Sequence, residues 1–380
     1  MTTQRALPTR AEVSAAFDKA GIVQRDADTL EGFALPRPND VKFIEHKPLE
    51  FDHVERLIEP ARVSNHFTNF GPVTTQLENA LHALWGLPED RVVIAASSAT
   101  TALFALVGVH SHRLGRPLRI AASSFGFMSS NIGPISETIL VDCDDRGMLD
   151  LEALDAALLD QVDALLVTNI FGNFRSFSEY RAFCAEHGKI LLLDNATGFW
   201  GVDRREPIDE IVSFHHTKPW GMGEGGIAVL DQEDAELFRI LMNFGVGAAD
   251  WLRAYANNAK VSDFNSAFHL ERLERMPEWS RLYQAQLQRI SDIARACGYR
   301  PFLDGHRDQI HAHLPLEAPR PINMDKLNGT RLPLKKYYSP LTEQTPRAVD
   351  IFDHNICVPA HLGMIHISDE EIEMALKDLL

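Results

Sequence analysis

Seven short apolar runs constrain the fold of this chain more than any other feature. They are RVVIA (91–95), LRIA (118–121), TILVD (138–142), ALLVT (164–168), KILLLD (189–194), EIVSF (210–214) and GIAVL (226–230). Each is rich in Val, Ile and Leu and apolar throughout rather than alternating, which is the pattern of a strand buried on both faces. Between several of them lie segments that read as helices, among them SATTALFALVGVH, DLEALDAALLD and FSEYRAFCAEHG. Strand–helix alternation predicts an α/β fold with a mostly parallel, seven-stranded sheet covered by helices.

A chain of 380 residues exceeds one small core. A large domain at 46–245 and a smaller α+β C-terminal domain at 246–380 are therefore expected. Residues 1–45 are polar and punctuated by prolines (ALPRPNDV) around one helix-like patch, RAEVSAAFDKAG, and read as an N-terminal extension rather than as catalytic core. The stretch VTTQLENALHALWG has helical spacing. The stretch 268–298, FHLERLERMPEWSRLYQAQLQRISDIARACG, reads as one long helix closed by Cys297 and Gly298. SDEEIEMALKDLL reads as a last helix with Ser368 as N-cap and acids in its first turn.

Charge and cysteine usage exclude several classes. With 37 basic against 53 acidic residues the net charge is −16, which argues against a nucleic-acid partner. An anionic small molecule stays open, because a local site can differ in sign from the whole. The four cysteines, Cys143, Cys184, Cys297 and Cys357, lie far apart without a CxxC pair. They suggest buried thiols in a reducing cytosol rather than a zinc site or a disulfide framework. The N-terminus has no apolar h-region and no run reaches transmembrane length, so a soluble, cytoplasmic protein without membrane association is expected.

The stretch 213–226, SFHHTKPWGMGEGG, carries the chemistry. Gly221, Gly223 and Gly226 spell GxGxxG, but a strand-like run follows where a dinucleotide fingerprint needs a helix. A Walker loop would place its lysine after the glycines, not before. No GxSxG elbow is present, and His215-His216, HSH (110–112) and HAH (311–313) lack the neighbouring Cys or paired acids of a metal site, so no metal is expected. Lys218 fits a covalent role, in which an amine attacks an aldehyde from a shaped pocket with a depressed pKa. The glycines would let backbone approach a planar ring, and Pro219 biases Lys218 away from the helical region.

Three other segments bear on this reading. Asp194 ends an apolar strand, where a buried acid is costly unless it meets a cation such as a protonated pyridine nitrogen. A turn or N-cap aspartate explains it as well. SSATTAL (97–103) opens a helix with small hydroxyls and free N–H groups, either an anion site or a plain N-cap. SSFGFMSSN (123–131) offers Phe127, either as a ring cover or as core.

In this order, SSATTAL, SSFGFMSS, LLLDNATGFWG and SFHHTKPWGMGEGG resemble the DegT/StrS-type sugar aminotransferases, a family of fold-type I pyridoxal-phosphate enzymes. The likeness runs from NFGPVTTQLENAL to the closing CVPAHLGMIHISDEEIE. The resemblance implies pyridoxal 5'-phosphate as cofactor, with Lys218 its Schiff-base anchor and proton carrier and Asp194 facing the pyridine nitrogen. Ser213, with Ala99 and Thr100, would bind the phosphate, and Phe127 would stack on the ring. Thr197 stands where Gln or His usually meets the phenolic oxygen. Asn265 matches an Asn that reaches the phosphate of the neighbouring subunit, in a homodimer with shared active sites.

The sequence also departs from the family pattern. Ala99 replaces a glycine and Ala267 an arginine, Pro219, Trp220, Gly221 and Met222 replace N-L-T-T, and YYSPLTEQ (337–344) lacks the usual histidine. Pro219, Trp220 and Met222 are thus expected to mark a difference in substrate. The implied activity is transfer of an amino group from an amino acid, by resemblance L-glutamate, to a nucleotide-linked keto-deoxysugar. Two alternatives stand beside it: a pyridoxamine-phosphate-dependent sugar dehydratase, whose relatives carry histidine at the lysine position, and a non-catalytic regulatory member. Lys218 counts against the first, and Lys218 with Asp194 against the second.

Overall fold

A computed structural model of the protein describes residues 6–25, 41–205, 207–302 and 309–380. All seven apolar runs are strands of one sheet: β1 (Arg91–Ala96), β2 (Ile120–Ser123), β3 (Ile139–Val141), β4 (Ala164–Thr168), β5 (Ile190–Asp194), β6 (Asp209–Ser213) and β7 (Gly226–Asp231). Their order is β1-β7-β6-β5-β4-β2-β3. Neighbours from β3 to β6 pair in parallel, and β7 runs antiparallel to both β1 and β6. A smaller antiparallel sheet holds β8 (Arg300–Pro301), β9 (His313–Glu317) and β10 (Asn355–Pro359).

The helices are α1 (Arg10–Lys19), α2 (Phe51–Ser64), α3 (Pro72–Trp85), α4 (Ala99–Leu114), α5 (Ala156–Leu159), α6 (Ser178–His187), α7 (Ala235–Met242), α8 (Asp263–Glu274), α9 (Met276–Ala296), α10 (Met324–Asn328), α11 (Pro346–His354) and α12 (Asp369–Leu379). They explain why the strands are apolar on consecutive residues. In β4, Leu165 and Val167 face the core shared with α6, α9 and the small sheet. Leu166, between them, faces a separate core built on α4 and α7. Successive side chains point to opposite faces, so a strand covered on both sides has no polar register. Each fully buried Leu or Val contributes about 1.5–3 kcal/mol.

Three segments differ from their sequence reading. Residues 268–298 are two helices, not one, because α8 ends at Glu274 and α9 restarts at Met276. Pro277 lies in the first turn of α9, where its missing N–H removes the bond to the carbonyl four residues back and its ring crowds that carbonyl. Cys297 caps α9 as expected, with Gly298 beyond it at a left-handed φ of 88°. DLEALDAALLD forms only a 3-10 turn (Leu151–Ala153) and the one-turn α5, each headed by an aspartate side chain bonding to backbone N–H groups. Finally, the described part of the first 45 residues is packed rather than appended: Val13, Ala16 and Phe17 of α1 are buried in the same core as Leu77 and Leu81 of α3.

Candidate active site

The sheet gathers its functional side chains at one edge. The pairs Thr168↔Asp194, Asp194↔Ile211, Ser213↔Gly226 and Ala96↔Gly226 place the carboxyl ends of β4, β5, β6 and β1 beside the start of β7. The carboxyl edge of an open parallel sheet is where ligands bind in such folds. A cavity there is lined by Ala99, Thr100, Phe127, Asp194, Thr197, Ser213 and Lys218, so seven of the eight expected residues share one wall.

Helix α4 supplies an anion cradle. Ser98 is its N-cap, with the hydroxyl accepting from the Thr101 N–H at 3.1 Å, and the helix's internal bonding starts with Ala102 N–H to Ser98 O at 3.1 Å. The N–H groups of Ala99 and Thr100 precede that first bond, no acid lies in the first turn, and both residues line the cavity. A helix start with free N–H groups and a positive dipole end is a ready anion site.

Asp194 is 1% exposed, and its Oδ1 accepts from the Ala196 N–H at 3.1 Å. The carboxylate therefore makes a turn contact and faces Lys218 as well. Burial raises its pKa, against the Ala196 hydrogen bond and the Lys218 charge, which lower it. Lys218 keeps some exposure because it lines the open cavity, while protein surrounds its amine. Desolvation lowers the amine from its ordinary 10.5 to about 8, opposed by the charge of Asp194. Among the described residues the amine has no hydrogen-bond acceptor.

Gly221 and Gly226 make room for protein backbone. A Cβ on Gly226 would sit 2.2 Å from the Ala99 nitrogen and 2.2 Å from the Ser98 carbonyl carbon, and one on Gly221 2.3 Å from the carbonyl oxygens of Phe214 and His215. Trp220 likewise serves the core first. It is 1% exposed, stacks on Phe199 at 4.9 Å, and donates its indole N–H to the Ser213 carbonyl at 2.7 Å. Asn265 is the expected residue placed elsewhere. It lies in the first turn of α8 and gives its amide N–H to the Glu224 carbonyl at 2.8 Å, one residue before Gly225 of the cavity wall.

Several site residues carried no signal in the sequence. A second compartment adjoins the first, and Phe127, Thr197, His215, Thr217, Lys218 and Tyr338 line both. Its far wall stacks Phe43, His313 and Tyr337, with ring centroids 5.5 Å apart for Phe43–His313 and for His313–Tyr337. Burial, then the charges of Lys218 and His311, hold the His313 imidazole down to about 3, so it stays neutral at working pH. Thr197 gives its hydroxyl to the Asn169 carbonyl at 2.9 Å, and Tyr338 lines the cavity beside it with its phenol pushed up by burial. The HAH pattern was the trace of His311 and His313, both of which line this compartment.

No group of three or more His, Cys, Asp or Glu side chains among the described residues could hold a metal ion, and no helix among them is long and apolar enough to cross a membrane. Cys143, Cys184 and Cys357 are buried as free thiols, and Cys297 is partly exposed.

A lysine amine, an aspartate and a helix N-terminus thus gather around one cavity at the carboxyl edge of the sheet. The chain belongs to the DegT/DnrJ/EryC1/StrS aminotransferase family, whose sequence profile matches residues 51–364; its class is that of the pyridoxal-phosphate-dependent aminotransferases. It is 22% identical over 348 residues to a dTDP-4-amino-4,6-dideoxy-D-glucose transaminase of Shigella dysenteriae, covering 83% of this chain and 92% of that one. It is 24% identical over 186 residues to a UDP-4-amino-4,6-dideoxy-N-acetyl-beta-L-altrosamine transaminase of Campylobacter jejuni, covering 46% and 48%. Among solved structures, DesI in the presence of its TDP-sugar product superposes with a TM-score of 0.72 at 21% identity, covering 92% of this chain and 94% of that one.

Proposed function

We propose that the protein binds pyridoxal phosphate at Lys218 and transfers an amino group from an amino acid, L-glutamate by family resemblance, to a nucleotide-linked keto-deoxysugar. The observation that carries this reading is the Lys218 amine, enclosed by protein, lowered to about 8 and facing Asp194 across a cavity with a helix start on its wall. The donor set fits the cofactor. Ala99 and Thr100 N–H groups and the Ser213 hydroxyl would hold its phosphate and Asp194 would meet its pyridine nitrogen; Thr197 would reach its phenolic oxygen only by turning its hydroxyl from the Asn169 carbonyl, and Phe127, 49% exposed, is free to lie on its ring. When bound, pyridoxal phosphate supplies an electron sink for the bonds at the amino carbon.

The protein's own residues do the rest. With a pKa near 8, the Lys218 amine is partly neutral at neutral pH, so it can form the covalent bond and, once released, move a proton to and from the substrate carbon. Asp194, 1% exposed, would hold a proton on the ring nitrogen through a charge-assisted hydrogen bond. Phe43, His313 and Tyr337 exclude water from the acceptor side. Asn265 is assigned to the phosphate of a neighbouring subunit in a homodimer, with the Glu224 carbonyl as its resting partner.

Names of relatives that act on nucleotide-linked amino sugars support the acceptor class, and Lys218 disfavours the dehydratase alternative. The test is a half-reaction screen. Enzyme converted to its pyridoxamine form is mixed with a panel of nucleotide ketosugars, and return of the original absorbance is followed. Return with one nucleotide ketosugar is expected; no return with any of them, and return with a simple 2-keto acid alone, would refute the acceptor class.

A further inference from the structure

Residues 41–50 form a strap that reaches the turn carrying Lys218, and Lys47 attaches it there. Lys47 is 7% exposed. Its ammonium donates to the carbonyls of His216 at 2.7 Å and Gly221 at 2.7 Å, and to that of Lys218 itself. Three donors meeting three carbonyls satisfy an ammonium completely, which is what lets this cation stay out of water. Two residues earlier in the strap, Glu45 accepts from Arg272 Nη2 at 2.9 Å and from the Tyr283 hydroxyl at 2.7 Å. Arg272 in turn gives its Nε to the Pro219 carbonyl at 2.8 Å. The carbonyls of residues 216, 218, 219 and 221 are thus all held by buried cations, one from the strap and one tied to it.

We propose that Lys47 is a positioning residue for Lys218: by gathering three carbonyls of the anchor turn onto one ammonium, it fixes where the Lys218 amine is presented and keeps a positive charge beside it. This rests on the reading of Lys218 as the cofactor anchor. The strap does more than brace the turn, since Phe43, Ile44 and Glu45 line the acceptor compartment. A lysine suits the position better than an arginine, because three carbonyls converging on a point match a compact ammonium and not a planar fork.

The ionisable groups that share the two compartments or the turn with Lys218 are Asp194 from β5, His311 and His313 from the segment entering β9, Tyr337, Tyr338 and His361 from the C-terminal segments, Tyr283 from α9, Glu45 and Lys47 from the strap, and His215, His216 and Glu224 from its own turn. Of these, Asp194 favours the charged amine; Lys47, whose own ammonium is held well below its ordinary value by burial, then by the charges of Arg272 and Lys218, opposes it when charged, by like-charge repulsion. Two full-length variants, Lys47→Met and Lys47→Arg, test the proposal. In the first readout, pyridoxal phosphate is titrated by absorbance, and the pH midpoint of the bound chromophore is recorded. In the second, which needs no cofactor, the rate of Lys218 reductive methylation by formaldehyde and cyanoborohydride is followed by peptide mass spectrometry at pH 7.5.

Lys47→Met is expected to weaken cofactor binding at least tenfold, to raise the chromophore midpoint, and to slow Lys218 methylation severalfold. Lys47→Arg, which keeps the charge but not the three-carbonyl geometry, is expected to weaken binding while leaving the midpoint near that of the wild type. A folded Lys47→Met protein with wild-type affinity, midpoint and methylation rate overturns the proposal. Should Lys47→Met not fold, a Lys47→Arg protein that matches the wild type in all three overturns it equally. A wild-type protein that takes up no pyridoxal phosphate defeats the functional reading instead, and the methylation rates then decide on Lys47 by themselves.

Discussion

Replacing Lys218 with methionine should make the cofactor-free protein more stable at neutral pH, not less. Enclosure lowers the amine from 10.5 to about 8. Each tenfold change in proton affinity is about 1.4 kcal/mol, so charging this amine costs the folded state up to about 3 kcal/mol below pH 8. The sign follows from proton counts. Between pH 8 and 10.5 the unfolded chain still holds the proton that the folded chain has released, so wild-type stability rises with pH across that window. Lys218→Met removes both the cost and the rise. It also leaves Asp194 without its cation, which offsets part of the gain, so the clean comparison adds the double variant Lys218→Met/Asp194→Asn.

The assay is urea unfolding of the three cofactor-free proteins at pH 7, 8, 9 and 10, with the stabilities of the two variants plotted as differences from wild type. Other groups that titrate there are common to all three proteins and cancel. The double variant is expected to exceed wild type by up to about 3 kcal/mol at pH 7 and to converge on it by pH 10. A double variant that is less stable at pH 7, or a difference that does not change with pH, would refute the claim that the site holds its lysine at an energetic cost.

Two further outcomes follow from the packing behind the site. Gly226→Ala places a methyl 2.2 Å from the α4 backbone, which cannot yield as a side chain would. Overpacking of this kind costs about 1–3 kcal/mol, and cofactor titration should show affinity reduced at least tenfold, with a fall in thermal midpoint. Ser98→Ala removes the α4 N-cap, worth about 1 kcal/mol; a lower urea midpoint and a weaker affinity for inorganic phosphate, read by calorimetry, are expected together.

Local features were legible in the sequence and long-range ones were not. The seven strands were readable because burial on both faces leaves consecutive apolar residues, as at Leu165, Leu166 and Val167. Lys218 and Asp194 stood out because a lysine before a glycine-rich turn and an acid closing an apolar strand are costly without a purpose. The 268–298 break was written in Pro277, but strong helical periodicity on both sides masked it. The strap was invisible for another reason: Lys47 meets carbonyls 169, 171 and 174 residues away, and backbone acceptors leave no mark in a sequence. Trp220 was expected, with Pro219 and Met222, to mark a difference in substrate, and with Pro219 it lines the second compartment. Its stacking on Phe199 and its bond to Ser213 show that it builds the floor of the site.

The Lys218 bond to the cofactor is the claim on which the rest depends. Purified protein mixed with pyridoxal phosphate, reduced with borohydride and digested should yield one modified peptide, with the pyridoxyl mass on Lys218. It should give none in Lys218→Met, while Lys47 and the surface lysines stay unmodified in both. Absence of a chromophore after addition of pyridoxal phosphate, or a label spread over other lysines with Lys218 untouched, would contradict the account.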